Sequence, residues 1–217
     1  MTMGKRGLLG LLMIALAWSF MLKDAQAEPY IAAFAGYSLP QKLQDSTVQQ
    51  PNALGVVGAT PGQGLLELEL GRTLMYGFKA GYYFNQLRFL GLEAEIYSST
   101  PNIKQQAVTA GGGPPTIIRG RDLRVIGYGA NLLFRVPGER LQPYVGIGPA
   151  VYQARLDDGS ESSVRLGVNA QAGLRWLMTK HFMLFGEYKY NLVKFNFDSF
   201  ETQYQAHNLL AGIGWNF

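Results

Sequence analysis

The chain has 217 residues, 47% of them hydrophobic and 16% charged, with a formal net charge of +4 and no cysteine. Without cysteine there is no disulfide framework, no thiolate metal site and no cysteine nucleophile. The length suits one domain, and a charge this small gives no reason to expect a nucleic-acid partner.

Lys5 and Arg6 precede an apolar stretch over 7–22, and Ala25-Gln26-Ala27 closes the segment. A basic start, an apolar run and a small-x-small end predict a secretory signal peptide over 1–27, cut after Ala27. The run of 16 residues is short against the ~20 that a spanning helix needs. This leader holds Lys5, Arg6 and Lys23 against Asp24, so it carries +2 of the total and leaves +2 on the 190 residues of 28–217. An exported chain without disulfides must hold its fold by packing and backbone pairing alone.

After the leader, residues of one kind recur at every second position, which predicts strands with one apolar face. In 30–39 the apolar side is Ile31, Ala33, Ala35 and Tyr37. In 73–85 it is Tyr76, Phe78, Ala80, Tyr82 and Phe84, opposite Gly77, Lys79, Gly81, Tyr83 and Asn85. In 90–98 Leu90, Leu92, Ala94 and Ile96 lie opposite Gly91, Glu93, Glu95 and Tyr97. In 124–135 Ile126, Tyr128, Ala130, Leu132 and Phe134 lie opposite Gly127, Gly129, Asn131 and Arg135. For 143–156 Val145, Ile147 and Val151 are assigned outward, with Gly146, Gly148 and Ala150 inward. In 164–176 the even positions from Leu166 to Trp176 are apolar and the odd ones hold Arg165, Asn169, Gln171 and Arg175. In 181–192 Phe182, Leu184, Tyr188 and Tyr190 lie opposite Glu187, Lys189 and Asn191. The eighth strand, 209–217, places Leu209, Ala211, Ile213, Trp215 and Phe217 on one side.

Alternation alone fits a soluble sandwich as well as a membrane barrel. The glycines separate the two. Gly77, Gly81, Gly91, Gly127, Gly129, Gly167, Gly173, Gly212 and Gly214 all fall on the polar face. A water-exposed sheet has no need of so many, whereas a narrow lumen does, because bulky inward side chains from opposite walls collide. The connections agree. Short ones at 86–89, 136–142 and 178–180 alternate with longer or polar ones at 40–72, 100–122, 157–163 and 195–202. Tight turns on one side and longer loops on the other are the pattern of outer-membrane barrels. Trp176, Phe182, Trp215, Phe217, Phe84 and Phe134 gather at the short-turn end, as an interfacial girdle would. The expected fold is an all-β, eight-stranded antiparallel up-and-down transmembrane β-barrel over 28–217. The stretch 65–70, with Glu67 and Glu69 alternating, is expected to extend a hairpin above the membrane.

The terminal Leu209-x-Ala-x-Ile-x-Trp-x-Phe217, the segment 142–149 (QPYVGIGP) and 187–190 (EYKY) resemble the small eight-stranded outer-membrane barrels of the OmpA-like and opacity-type porin families. The resemblance covers all of 28–217. It implies that Trp215 and Phe217 form the signal read by the outer-membrane assembly machinery. Of the OmpA pattern only the barrel domain is matched, so a cell-wall tether is not expected.

The sharpest chemical constellation is the inward charge set of Lys79, Glu93, Glu95, Arg135, Arg165, Arg175, Glu187 and Lys189. The turn geometry predicts Lys79 opposite Glu95, Gly81 opposite Glu93, and Arg175 within diagonal reach of Glu187. Buried charges must pair. Eight strands leave an interior just wide enough for side chains, so the set reads as a plug of ion pairs before it reads as an ion path. Catalysis is poorly supported. His181 and His207 fall at opposite ends, and His207 is followed by Asn208 rather than by the serine two positions on that barrel-type lipid A deacylases carry. Asp157, Asp158 and Glu161 read as a solvated hairpin tip rather than a calcium loop. Gly111-Gly112-Gly113 follows no strand-to-helix pattern and is no phosphate loop. No cofactor is expected. The expected partners are outer-membrane lipids, the assembly machinery and a surface ligand met by the longer loops. The expected role is structural or surface interaction through a narrow, largely plugged barrel, with a lipid-modifying enzyme and a small- or hydrophobic-solute channel as the alternatives.

Overall fold

Period-two alternation becomes strands, and the strands pair with their neighbours in the chain. A computed structural model of the chain describes residues 27–50, 60–62, 64, 68–108, 116–118, 120–156, 162–198 and 200–217. In chain order the strands are β1 (Ala27–Pro40), β2 (Gln44–Val48), β3 (Thr73–Phe84), β4 (Leu90–Ser99), β5 (Asn102–Ile103) and β6 (Gln106–Val108). They continue with β7 (Thr116–Ile118), β8 (Arg121–Arg135), β9 (Leu141–Leu156), β10 (Ser162–Leu177), β11 (Phe182–Asn196) and β12 (Phe200–Asn216). Eight of them, β1, β3, β4 and β8 to β12, form one antiparallel sheet. It closes because β1 pairs with β12 from Tyr30↔Asn216 to Pro40↔Ala206. The four short strands lie in the connections at the long-loop end.

The faces follow the alternation. Ile31, Phe78, Ile96, Leu132, Ile147, Leu174, Ile213 and Trp215 are exposed on the outer wall. Their neighbours one residue away, such as Lys79, Glu95, Asn131 and Arg175, are buried. A side-chain period of two makes this separation automatic once the register is set. The inward glycines admit large rings. A Cβ added at Gly127 would lie 2.3 Å from the Tyr97 ring, and one at Gly173 would lie 2.6 Å from the Tyr144 ring.

One expectation about the connections is corrected. The fourth long-side connection is not a loop over 195–202, because β11 and β12 stay paired up to Asn196↔Glu201. The alternation simply continues outward. Phe195, Phe197 and Phe200 are buried at the barrel mouth while Lys194 stays exposed, so the charges in this stretch mark one face of a strand rather than a solvated loop. The described part of 65–70 does join a hairpin, because Leu43↔Leu68 and Thr47↔Gly64 keep one antiparallel register, but that hairpin folds inward. Leu68 bridges Leu43 and Leu70 bridges Ile103, and all four are buried. Apolar residues at a water-filled mouth gain more by folding over it than by standing above it. Together with Val48, Leu123 and Leu156 they cap the barrel at its outer end. Residues 65–67, the glycines 111–113, the acidic cluster of 157–161 and most of the leader lie outside the described residues.

Candidate functional site: the charged layer across the lumen

Five ionisable side chains, from two adjacent strands and one on the opposite wall, meet at the axis. Lys79 comes from β3, Glu93 and Glu95 from β4, and Glu187 and Lys189 from β11, and each is nearly inaccessible to solvent. Lys79 Nζ lies 2.7 Å from Glu187 Oε2 and 3.4 Å from Glu93 Oε1. Lys189 pairs with Glu95 and lies 3.5 Å from Glu187 Oε1. Three carboxylates thus share two ammonium groups, and neutral donors supply the rest. The Tyr30 hydroxyl donates to Glu93 at 2.6 Å and the Tyr144 hydroxyl to Glu187 at 2.5 Å. Gln171 donates to Glu93 at 2.8 Å, and Asn169 and Asn131 donate to Glu95 at 2.9 and 3.2 Å. Around the axis Asn191 donates to Tyr97, Tyr152 and Asn169. Buried carboxylates with this many charge-assisted bonds are held in place rather than left free to move.

The backbone register places Lys79 opposite Glu95 and Gly81 opposite Glu93, as the turn geometry predicts. The contacts differ. Lys79 reaches past its cross-strand neighbour to Glu187 on the opposite wall, and Glu95 takes Lys189 instead. Side chains on adjacent strands project side by side, so in a tube this narrow a long one meets the far wall. Arg175 does not pair with Glu187. Its guanidinium donates to Met183 Sδ at 2.8 Å and lies 4.2 Å from the centre of the Tyr30 ring. It sits opposite Phe185, midway between Met183 and Glu187, and Glu187 is already taken. Arg135 lies below the layer, paired with Glu28 and hydrogen-bonded to Gln142 at 3.1 Å. Arg165 is corrected outright. It shares the inward parity of its strand, but it is exposed near the outer end and joins none of these contacts.

Sequence reasoning placed Tyr83, Asn131, Asn169, Gln171 and Asn191 on the polar face without assigning them to the cluster. A same-face count of amides would have found them. Tyr30, Tyr144 and Glu28 carried no such signal, because β1 and β9 hold small and apolar residues on both faces.

The histidines are far apart in the fold. His207 lies on the outer wall, with Tyr188 Oη 2.6 Å from Nδ1 and Gln41 Nε2 2.7 Å from Nε2. His181 stacks on Trp215 near the short-turn end. Both ring nitrogens of His207 are occupied by protein groups.

A model of the outer membrane protein beta-barrel domain matches residues 8–217. The chain belongs to this outer-membrane β-barrel family. Solved structures share the fold at low identity. Neisserial surface protein A (NspA) is 17% identical over 88% of this chain and 99% of its own, with a TM-score of 0.56. OprG from Pseudomonas aeruginosa is 12% identical over 89% and 97%, with a TM-score of 0.54. Ail, the attachment invasion locus protein of Yersinia pestis, solved with the heparin analogue sucrose octasulfate, is 16% identical over 88% and 99%, with a TM-score of 0.52. No curated protein matches the sequence significantly. For an outer-membrane barrel the lower ring of aromatics makes sense as an interfacial anchor. Trp176, Trp215, Phe134 and Phe217 ring the short-turn end, and Tyr37, Tyr76, Tyr128 and Tyr188 are exposed several residues further up the wall.

Proposed function

We propose that this outer-membrane barrel acts as a closed, structural or surface-interacting protein whose lumen passes no solute. One observation carries the reading: the layer formed by Lys79, Glu93, Glu95, Glu187 and Lys189 reaches from wall to wall. The cavity beside it, lined by Tyr30, Tyr83, Glu93 and Arg175 among others, measures about 10 Å³, room for about one water molecule. The apolar cap at the outer mouth supports the same reading. In this role the protein's partners are outer-membrane lipids along the wall and a surface ligand met by the outer connections. Trp215 and Phe217 present the strand that the assembly machinery reads. No cofactor or nucleic acid enters, and no catalytic residue is assigned.

Planar bilayer recording tests the proposal. The wild-type barrel is expected to show no steady current steps. The Lys79→Ala/Glu187→Ala variant removes two members of the layer and is expected to show small ones. Large, steady, porin-sized steps from the wild type would overturn the plugged reading and put a channel in its place.

A further inference from the structure

Antiparallel strands avoid like charges at directly opposed positions, because the side chains then stand about 4.5–5.5 Å apart at Cβ and repel. The register of β8 and β9 breaks this rule at Arg124↔Arg155. Both side chains are exposed on the outer wall, and neither makes an ion pair or hydrogen bond with a described residue. Among the described residues Asp122 is the carboxylate on the same face two positions from Arg124 on β8, and it accepts instead from Asn102 at 2.8 Å. The arginines stand above Ile126 and Gln153, and below those come Tyr128 and Val151 on the lipid-facing wall.

Height decides what meets them. Arg124 is ten positions above Phe134, a member of the lower aromatic ring, on one uninterrupted strand. At about 3.3 Å per residue and a tilt of about 40°, that places Arg124 roughly 25 Å above the ring. An outer-membrane barrel has an apolar band about 25 Å tall. The pair therefore sits at the upper edge of the band, where lipid headgroups begin. We infer that Arg124 and Arg155 form a clamp on the outer wall for the phosphate of an outer-leaflet lipid. Guanidinium groups bind phosphate bidentately, and an anion between them turns the repulsion into attraction. The acyl chains of the same lipid would lie down the wall over Tyr128, Val151 and Leu166, all exposed.

The test titrates the folded barrel, in a zwitterionic detergent, with bisphosphorylated lipid A and reads bound lipid by native mass spectrometry. Wild type is expected to retain the lipid at least about tenfold more tightly than Arg124→Gln/Arg155→Gln, since each charged hydrogen bond lost is worth a sizeable part of a decade. The control Arg140→Gln/Lys180→Gln removes two exposed charges from the opposite end and should bind as wild type. Lipid A stripped of its phosphates should bind wild type and the double variant equally weakly. Inorganic phosphate alone should bind far more weakly than the lipid. In lipid-free detergent the double variant should unfold at the same temperature as wild type or higher, because a repulsion has gone. If the double variant does not fold, Arg155→Gln alone serves, with a smaller loss in the same direction. Equal retention by wild type and double variant, equal retention of the phosphate-free lipid, or free phosphate held as tightly as the lipid would each overturn the inference.

Discussion

At the scale of residues, the lumen shows how contact and register part company. Lys79 faces Glu95 across the ladder but its ammonium binds Glu187 and Glu93. Removing one partner of a buried pair strands the other, which costs about 3–5 kcal/mol, more than a well-packed neutral pair would. Lys79→Met and Glu187→Gln are each expected to lose stability of about that order, and the double variant to lose less than their sum by at least about 1 kcal/mol. The coupling between Lys79→Met and Glu95→Gln should be smaller, because those side chains are neighbours in register rather than partners. Urea unfolding in detergent, followed by tryptophan fluorescence, measures all of these. A larger coupling for the Lys79 and Glu95 pair would show that the ladder, not the cross-lumen contact, sets the energetics. The polar face announced these charges in the sequence because nothing apolar would interrupt a lipid-facing stripe with lysine or glutamate. Which carboxylate each lysine takes was not legible, because that depends on the curvature that brings β3 and β11 face to face.

At the scale of elements, each strand must satisfy two solvents at once. Ala172 on β10 is exposed on the outer wall four positions above Trp176, while its neighbour Gln171 is buried against Glu93. Gln153 on β9 is also exposed on the outer wall, but it lies just below Arg155 at the outer rim. Ala172→Arg is expected to cost about 2–4 kcal/mol in a bilayer, and Gln153→Arg about 0–1 kcal/mol, because the penalty for a charge falls from midplane to interface. Unfolding titrations in lipid vesicles decide it, and equal losses at the two positions would contradict the assigned depth. The inner strand boundaries were plain from the alternation and the tight turns. The outer ones were not. Charges at Lys194, Asp198 and Glu201 look like loop chemistry in a linear reading, yet β11 and β12 continue as a paired hairpin past the apolar band. Above the membrane a strand's outer face meets water, so polar residues there say nothing about where pairing stops.

At the scale of the molecule, closure leaves no edge to open. The β1–β12 seam joins the two ends of the sheet along eleven consecutive residue pairs, from Tyr30↔Asn216 to Pro40↔Ala206. Pairing at the other edge of β1 begins at Ala27↔Phe84, and Glu28 is bound by Arg135 and Arg88. A chain cut after Ala27 would keep Glu28 and the whole seam. Intact-mass measurement of protein from the outer membrane is expected to show Glu28 as the first residue, and retention of 1–27 would rule out the predicted cut. The sequence by itself determined the class, the number of wall strands and the side of the wall each residue faces. These depend on a local period of two and on the contrast between lipid and lumen, and both are written residue by residue. Tertiary structure alone decided the ion-pair partners across the lumen, the apolar cap over the mouth and the meeting of Arg124 with Arg155. Each of those depends on how far one strand is shifted against another and how tightly the sheet curls, and such distances between remote segments leave no periodic trace in the chain.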